Sequence, residues 1–199
     1  MTRHFSESNR HLCEAGNSPL GCAVCPAGGL LSASRVLSSR GWVAARQVRR
    51  GDEVLTFDNG FVPVAGVDWT WSFSSIVPCP MHFWPLRVPA GLLGNVEDFM
   101  VLPDNSVLFE YESGGDVVSV AIPSRALMGR GGVQPTDPMK RQRVIQLHFE
   151  QPQLVAIENG AYQLFAGGEL ITEADYTVPM LGLSEARALV SDLLPVRVA

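Results

Sequence analysis

The sequence predicts a mainly β fold of short antiparallel strands, closed by one helix near residue 190. Three observations carry that expectation. The 19 glycines and 14 prolines of this 199-residue chain interrupt it too often for long helices. Between those breaks lie short runs rich in Val, Ile, Phe, Trp and Thr, side chains that suit a pleated, half-buried surface. Only one late segment repeats its apolar residues every three to four positions, as an amphipathic helix does. With 46% hydrophobic and 18% charged residues the chain is too apolar for disorder throughout, and its size fits one domain with flanking extensions.

Residues 1–28 are polar and aperiodic, broken by Gly16, Pro19, Gly21 and Pro26, which predicts a flexible N-terminal extension. Leu30-Leu31 and Arg35–Leu37 then read as a strand, Ser38–Gly41 as a turn and Trp42-Val43 as the return of a hairpin. Val54, Leu55 and Phe57 lead to Asn59-Gly60, a pair that tolerates positive φ and so marks another hairpin turn. Phe61 to Trp71 predicts one long strand. Strands follow at Phe83–Val88, Phe99–Leu102, Ser106–Tyr111 and Val117–Ile122, each bounded by Pro, Gly, Asn or Asp. Ser124–Met128 predicts a single helical turn, and 129–138 a flexible loop. Along Val144–Phe149, Val144, Gln146 and His148 alternate with Ile145, Leu147 and Phe149, and Leu154–Ile157 supplies a partner strand. A helix is predicted over 184–194, capped by Ser184, buried through Ala186, Leu189, Val190, Leu193 and Leu194, and stopped by Pro195. The expected division is therefore an extension at 1–28, a β body at 29–165 and a C-terminal segment at 166–199.

A net charge of -5 excludes broad electrostatic attraction to nucleic acid or to an anionic membrane. The arginines at 35, 40, 46, 49 and 50, and the run Lys140-Arg141-Gln142-Arg143, read as solvated hairpin faces. No continuous apolar run opens the chain, so the expectation is neither a secretory signal nor a membrane span, and a cytoplasmic location. In a reducing compartment Cys13, Cys22, Cys25 and Cys79 stay thiols. Cys22 and Cys25 have C-x-x-C spacing, and with Cys79 and His82 they make a zinc-stabilised protein one reading; small buried hydrophobes are the other. Phosphate-binding, dinucleotide-binding, zinc-protease and serine-hydrolase motifs are absent from the sequence, so no cofactor is expected.

Several ordered blocks carry a family resemblance: Gly28-Gly29-Leu30-Leu31-Ser32-Ala33-Ser34-Arg35-Val36 through Arg40-Gly41-Trp42, Arg50-Gly51-Asp52-Glu53-Val54-Leu55-Thr56-Phe57-Asp58-Asn59-Gly60, Pro85-Leu86-Arg87-Val88-Pro89-Ala90-Gly91-Leu92-Leu93-Gly94, Val101-Leu102-Pro103-Asp104-Asn105-Ser106-Val107-Leu108, Ile122-Pro123-Ser124-Arg125-Ala126-Leu127 and Leu147-His148-Phe149-Glu150. Together they resemble the Hint domains shared by inteins and hedgehog C-terminal regions, closest to the bacterial Hint-like branch. The resemblance implies a horseshoe of antiparallel hairpins.

It also implies a chemistry. A Cys or Ser at the domain's first residue attacks its own preceding carbonyl, and a buried His protonates the departing nitrogen. The position matching the nucleophile is Gly29, which has no side chain. Where related domains carry Pro-x-His, this chain reads Pro103-Asp104-Asn105, and a later position that often holds His is Gln146. A carboxamide does not shuttle protons at neutral pH. The nearest substitutes are Cys25, Ser32 and Ser34 as nucleophiles and His148 as a base, although a loop Cys, turn serines and a structural His explain the same residues. The implied function is a Hint-like domain inactive in autoproteolysis and splicing, retained as a scaffold or interaction module for an unidentified protein partner. The competing expectation is a self-cleaving domain that uses Cys25 or Ser32.

Overall fold

The computed structural model describes residues 28–73, 81–138, 142–167 and 178–196. Mainly antiparallel β structure and one C-terminal helix make up these residues. The strands are β1 (Leu30–Leu31), β2 (Arg35–Ser38), β3 (Gly41–Ala44), β4 (Glu53–Thr56), β5 (Gly60–Pro63), β6 (Gly66–Ser72) and β7 (Leu86–Val88). The second half adds β8 (Phe99–Val101), β9 (Ser106–Ser113), β10 (Asp116–Pro123), β11 (Gln134–Pro135), β12 (Gln142–His148), β13 (Gln153–Ile157) and β14 (Ala161–Phe165), with the helix α1 at Leu183–Leu193.

An eight-stranded sheet runs β10-β9-β14-β13-β2-β4-β5, with β3 attached to β2. On its middle strands one side is fully buried, with Val36, Val54, Val155 and Ile157 at or near zero exposure, and β13 is buried along its whole length. Two three-stranded sheets, β1-β12-β6 and β11-β7-β8, complete the body. One apolar cluster joins them, drawing Ile145 and Leu147 from the first small sheet, Leu86 and Val88 from the second, and Ala186 and Val190 from α1. The helix buries Ala186 and Val190 and half-buries Leu189 and Leu194, while Leu193, expected on the same face, is 41% exposed.

The hairpins form where turn chemistry demands them. Between β4 and β5, Thr56 Oγ1 accepts the Asn59 N–H at 3.2 Å and donates to the Gly60 carbonyl at 2.8 Å, so the Asn-Gly turn is tied to its own strand. The eight-residue strands β9 and β10 join through Gly114-Gly115, both at positive φ. Ser124–Leu127 forms the single helical turn, as 3-10 helix.

Several elements differ from the sequence expectation. Leu30-Leu31 and Arg35–Leu37 fall in separate strands of different sheets, the loop 129–138 contains the short strand β11, and Leu154–Ile157 pairs with β14, β2 and β4 rather than with Val144–Phe149. The stretch 61–71 is two strands, since Val64 and Ala65 bend away to bond Asp52 and His148. Residues 83–88 divide between a 3-10 turn, Met81–Phe83, and β7. The helix starts on Gly182 rather than Ser184, because the Glu185 carboxylate reaches back to the Gly182 N–H at 3.0 Å and closes the first turn. Strand β14 was not expected. The predicted extension, Cys13, Cys22, Cys25 and Cys79 lie outside the described residues. No helix among the described residues is long and apolar enough to cross a membrane.

The β7–β8 hairpin carries a pH-sensitive clasp. Asp98 accepts the Ala90 N–H at 2.9 Å and pairs with Arg87, and these two contacts, the backbone one first, hold its carboxyl below the usual range. A depressed folded pKa contributes stability above the unfolded value of about 4, lost as pH falls through the folded value. Asp98→Asn should therefore lower stability slightly at pH 7, by little because the exposed pair is screened, and match wild type at pH 2.5, which flattens the acid limb of the stability–pH curve. Urea unfolding from pH 2.5 to 7 checks it.

Candidate functional site

Pairing of Leu30 with Ile145 and Leu31 with Val144 brings the chain into the body at Gly28-Gly29. There it lies against the loop joining β8 to β9 and beside β14. Asn105 on that loop is nearly fully buried, and its own backbone is held on both sides: its N–H donates to the Leu102 carbonyl at 3.1 Å, and its carbonyl accepts the Ser124 N–H at 2.8 Å. The side chain is thereby aimed inward.

Asn105 grips Gly29 with both ends of its carboxamide. Oδ1 accepts the Gly29 N–H at 2.7 Å, and Nδ2 donates to the Gly29 carbonyl at 2.8 Å. Because an N–H can only donate, the atom facing it must be the oxygen, and the amide orientation follows. The second Nδ2 proton goes to Gln163 Oε1 at 2.9 Å, which orients Gln163 in turn and leaves its Nε2 buried without a hydrogen-bond partner among the described residues. From β12, Gln146 Nε2 donates to the Gly28 carbonyl at 2.6 Å. The peptide unit between residues 28 and 29 is thus held at its carbonyl by Gln146 and at its N–H by Asn105.

Gly29 is required where it stands. Its φ is +107°, and a Cβ there would lie 2.7 Å from the Ile145 carbonyl oxygen and 2.9 Å from both Gln146 Nε2 and Val144 Cγ1. A nucleophilic side chain has no room on this backbone.

Around the clasp opens a cleft of about 380 Å³, bordered by Asp104, Ser106, His148, Phe165 and Met180. Asp104 is engaged by Arg125. His148 stands on the rim, about half exposed, with Nε2 3.1 Å from Asp68 Oδ2.

Gly29, Asn105 and Gln146, brought together by the family alignment, do meet in space. Ser32 does not join them: it occupies the turn after β1, tied to Arg143 and Arg46 through its backbone, and is absent from the cleft lining. Ser34 is buried with its carbonyl bonded to the Ala45 N–H, on a separate cleft next to Leu31 and Phe99. Cys25 and three of the four zinc candidates, Cys22, Cys25 and Cys79, lie outside the described residues, and His82 packs its ring 4.1 Å from that of Phe83. Among the described residues no three His, Cys, Asp or Glu side chains gather as a metal set. Gln163 is the member that sequence reasoning missed. Its signal was the alternation Ala161-x-Gln163-x-Phe165, a carboxamide in a column of buried apolar residues.

In chemical terms the cleft keeps one of three parts of a peptide-bond cleavage apparatus. Gln146 donates to the carbonyl where negative charge would develop. No nucleophile sits on residue 29, and the group at its N–H is an acceptor that restrains the nitrogen instead of protonating it.

No curated protein matches the chain. A solved structure of the AceL NrdHF class 3 split intein, a GSH-linked splice-inactive variant, is similar at 14% identity and a TM-score of 0.45, covering 71% of this chain and 99% of its own. The sequence signature of the Hint domain matches residues 29–174, opening on Gly29 itself, and the chain accordingly belongs to the Hint domain family.

Proposed function

We propose that this Hint domain neither cleaves nor splices its own chain and acts as a scaffold or interaction module. The observation that carries the reading is the double hydrogen bond from Asn105 to Gly29. At the residue where the family places a nucleophile there is a glycine at positive φ, and where the proton donor belongs there is a carboxamide that accepts from the amide nitrogen. General acid–base assistance is worth about 10²- to 10⁴-fold, and without a nucleophile the covalent route does not exist.

The test is intact mass. Purified full-length protein, incubated for days at neutral pH with hydroxylamine or dithiothreitol to intercept any ester or thioester, should keep the mass of the whole chain. A fragment with a new end at Gly29 would overturn the reading outright. One with a new end at Cys25, Ser32 or Ser34 would name a displaced nucleophile, and replacing that residue by Ala should then abolish release.

A further inference from the structure

The arginines at 35, 40, 46, 49 and 50 divide in the fold. Arg35 pairs with Glu97 and Arg40 with Asp52, each at 2.8 Å. Arg46, Arg49 and Arg50 are exposed and enter no ion pair among the described residues. Their outward placement follows from what anchors the segment. Ala45 and Val48, three positions apart, are buried at 0% and 4% exposure, and the Val48 N–H closes the 3-10 turn on the Ala45 carbonyl at 3.1 Å. The residues between and after them are left on the solvent side.

No neighbouring carboxylate cancels this charge. Asp52 Oδ2 is taken up by Arg40 at 2.8 Å and by the Arg49 backbone N–H at 2.9 Å. Glu53 follows on β4 and pairs with none of the three arginines. A fourth cation adjoins them through Ser32, whose carbonyl accepts the Arg46 N–H at 3.2 Å and whose N–H donates to the Arg143 carbonyl at 2.9 Å. The Arg143 guanidinium lies 4.6 Å from the Trp69 ring, and that indole is 54% exposed. A chain of net charge -5 thus gathers four arginines and an apolar ring at one place.

We propose that this face binds an acidic peptide segment of a partner protein, its carboxylates on Arg46, Arg49 and Arg50 and an apolar side chain against Trp69 beside Arg143. The proposal rests on the reading of the domain as an interaction module and names its partner's chemistry. Guanidinium groups suit it because their planar fork matches a carboxylate with two parallel hydrogen bonds. A nucleic acid fits less well. It carries a charge on every nucleotide of a strand that outruns this short turn, and exposed Glu110, Glu112 and Asp116 on β9 and β10 repel it elsewhere. Exposed ion pairs are individually weak, so the complex is reversible and sensitive to salt.

Fluorescence anisotropy of the full chain reads it, with a fluorescein-labelled octapeptide alternating Asp or Glu with Phe or Leu as the probe. Binding should saturate below about 500 µM protein in about 50 mM salt and weaken at least about fivefold in about 300 mM. A neutral copy of the peptide, with Asn and Gln for Asp and Glu, should bind at least about tenfold more weakly. Arg49→Glu combined with Arg50→Glu should cost at least about tenfold and should bind a copy with Lys at the acidic positions instead. Arg50→Glu alone should cost at least about threefold, whereas Arg187→Glu, the same change of charge on the exposed side of α1, should cost less than about twofold.

No saturable binding, equal binding of the neutral copy, or equal weakening by Arg50→Glu and Arg187→Glu overturns the proposal. A labelled oligothymidylate that binds as tightly as the acidic peptide also overturns it and turns the face to nucleic acid. The two readings fail separately. A chain that keeps its full mass but does not bind the peptide loses this surface and stays silent in cleavage, while a chain that releases a fragment loses its silence whatever it binds.

Discussion

Asn105→Ala should lower the unfolding free energy by about 3 kcal/mol, the cost of stranding buried polar groups rather than of losing one contact. The substitution removes three hydrogen bonds at once: the two to the Gly29 N–H and carbonyl and the one to Gln163 Oε1. Each leftover group costs about 1–3 kcal/mol when left unpaired, so the expected value is the low end of their sum. Urea unfolding measures the change as a shift in midpoint at constant slope. A companion variant identifies the cause. With Gln163→Leu already in place the carboxamide behind Asn105 no longer needs a partner, so Asn105→Ala should then cost at least ~0.5 kcal/mol less. A shift below ~1 kcal/mol for Asn105→Ala alone would mean that the clasp contributes little to the fold.

The second large effect is expected at Gly29→Cys, the substitution that writes the family's nucleophile back into this chain. It should produce no cleavage and should cost about 3 kcal/mol or more. Holding a non-glycine residue in so sparsely populated a backbone region costs about 1–3 kcal/mol, and the added Cβ meets the Ile145 carbonyl, a backbone atom that cannot swing aside without distorting β12. Even a thiol that found room would still have an acceptor, Asn105 Oδ1, on the nitrogen that must leave. Combined thermal unfolding and intact-mass measurements on the purified variant decide it. A variant that cleaves, or unfolds at the wild-type temperature, would show that the backbone at residue 29 adapts and that the missing side chain alone keeps the domain silent.

What could be read in advance divides along physical lines. Hairpins were legible where turn residues bracket alternating strands, as in β9–β10 with Gly114-Gly115 and β4–β5 with Asn59-Gly60, because both signals are local. Strand β14 was not, since Ala161-Tyr162-Gln163-Leu164-Phe165 is short and puts a polar residue in its buried column; only the neighbouring Asn105 makes that position favourable, 58 residues away in the chain. The break between β5 and β6 was equally hidden, because Val64 and Ala65 look like strand and are diverted by hydrogen bonds to Asp52 and His148 that no local pattern announces. For the site, aligned blocks brought Gly29, Asn105 and Gln146 into one picture, and their contacts do converge on one peptide unit. The direction of those contacts was beyond reach. That Asn105 accepts from the nitrogen, and that Gly29 has no space for a Cβ, depend on three-dimensional register.

A clasp made of carboxamides also behaves differently from one made of an imidazole. Asn and Gln carry no charge and titrate nowhere near physiological pH, whereas a histidine in the same place would change state around pH 6.5 and could let go as it did so. The bonds on Gly28 and Gly29 are therefore as firm in an acidic medium as in a neutral one, and added salt has no charge pair there to screen. Whatever the preceding residues carry is joined to the domain by a fastening that neither protons nor ions can loosen.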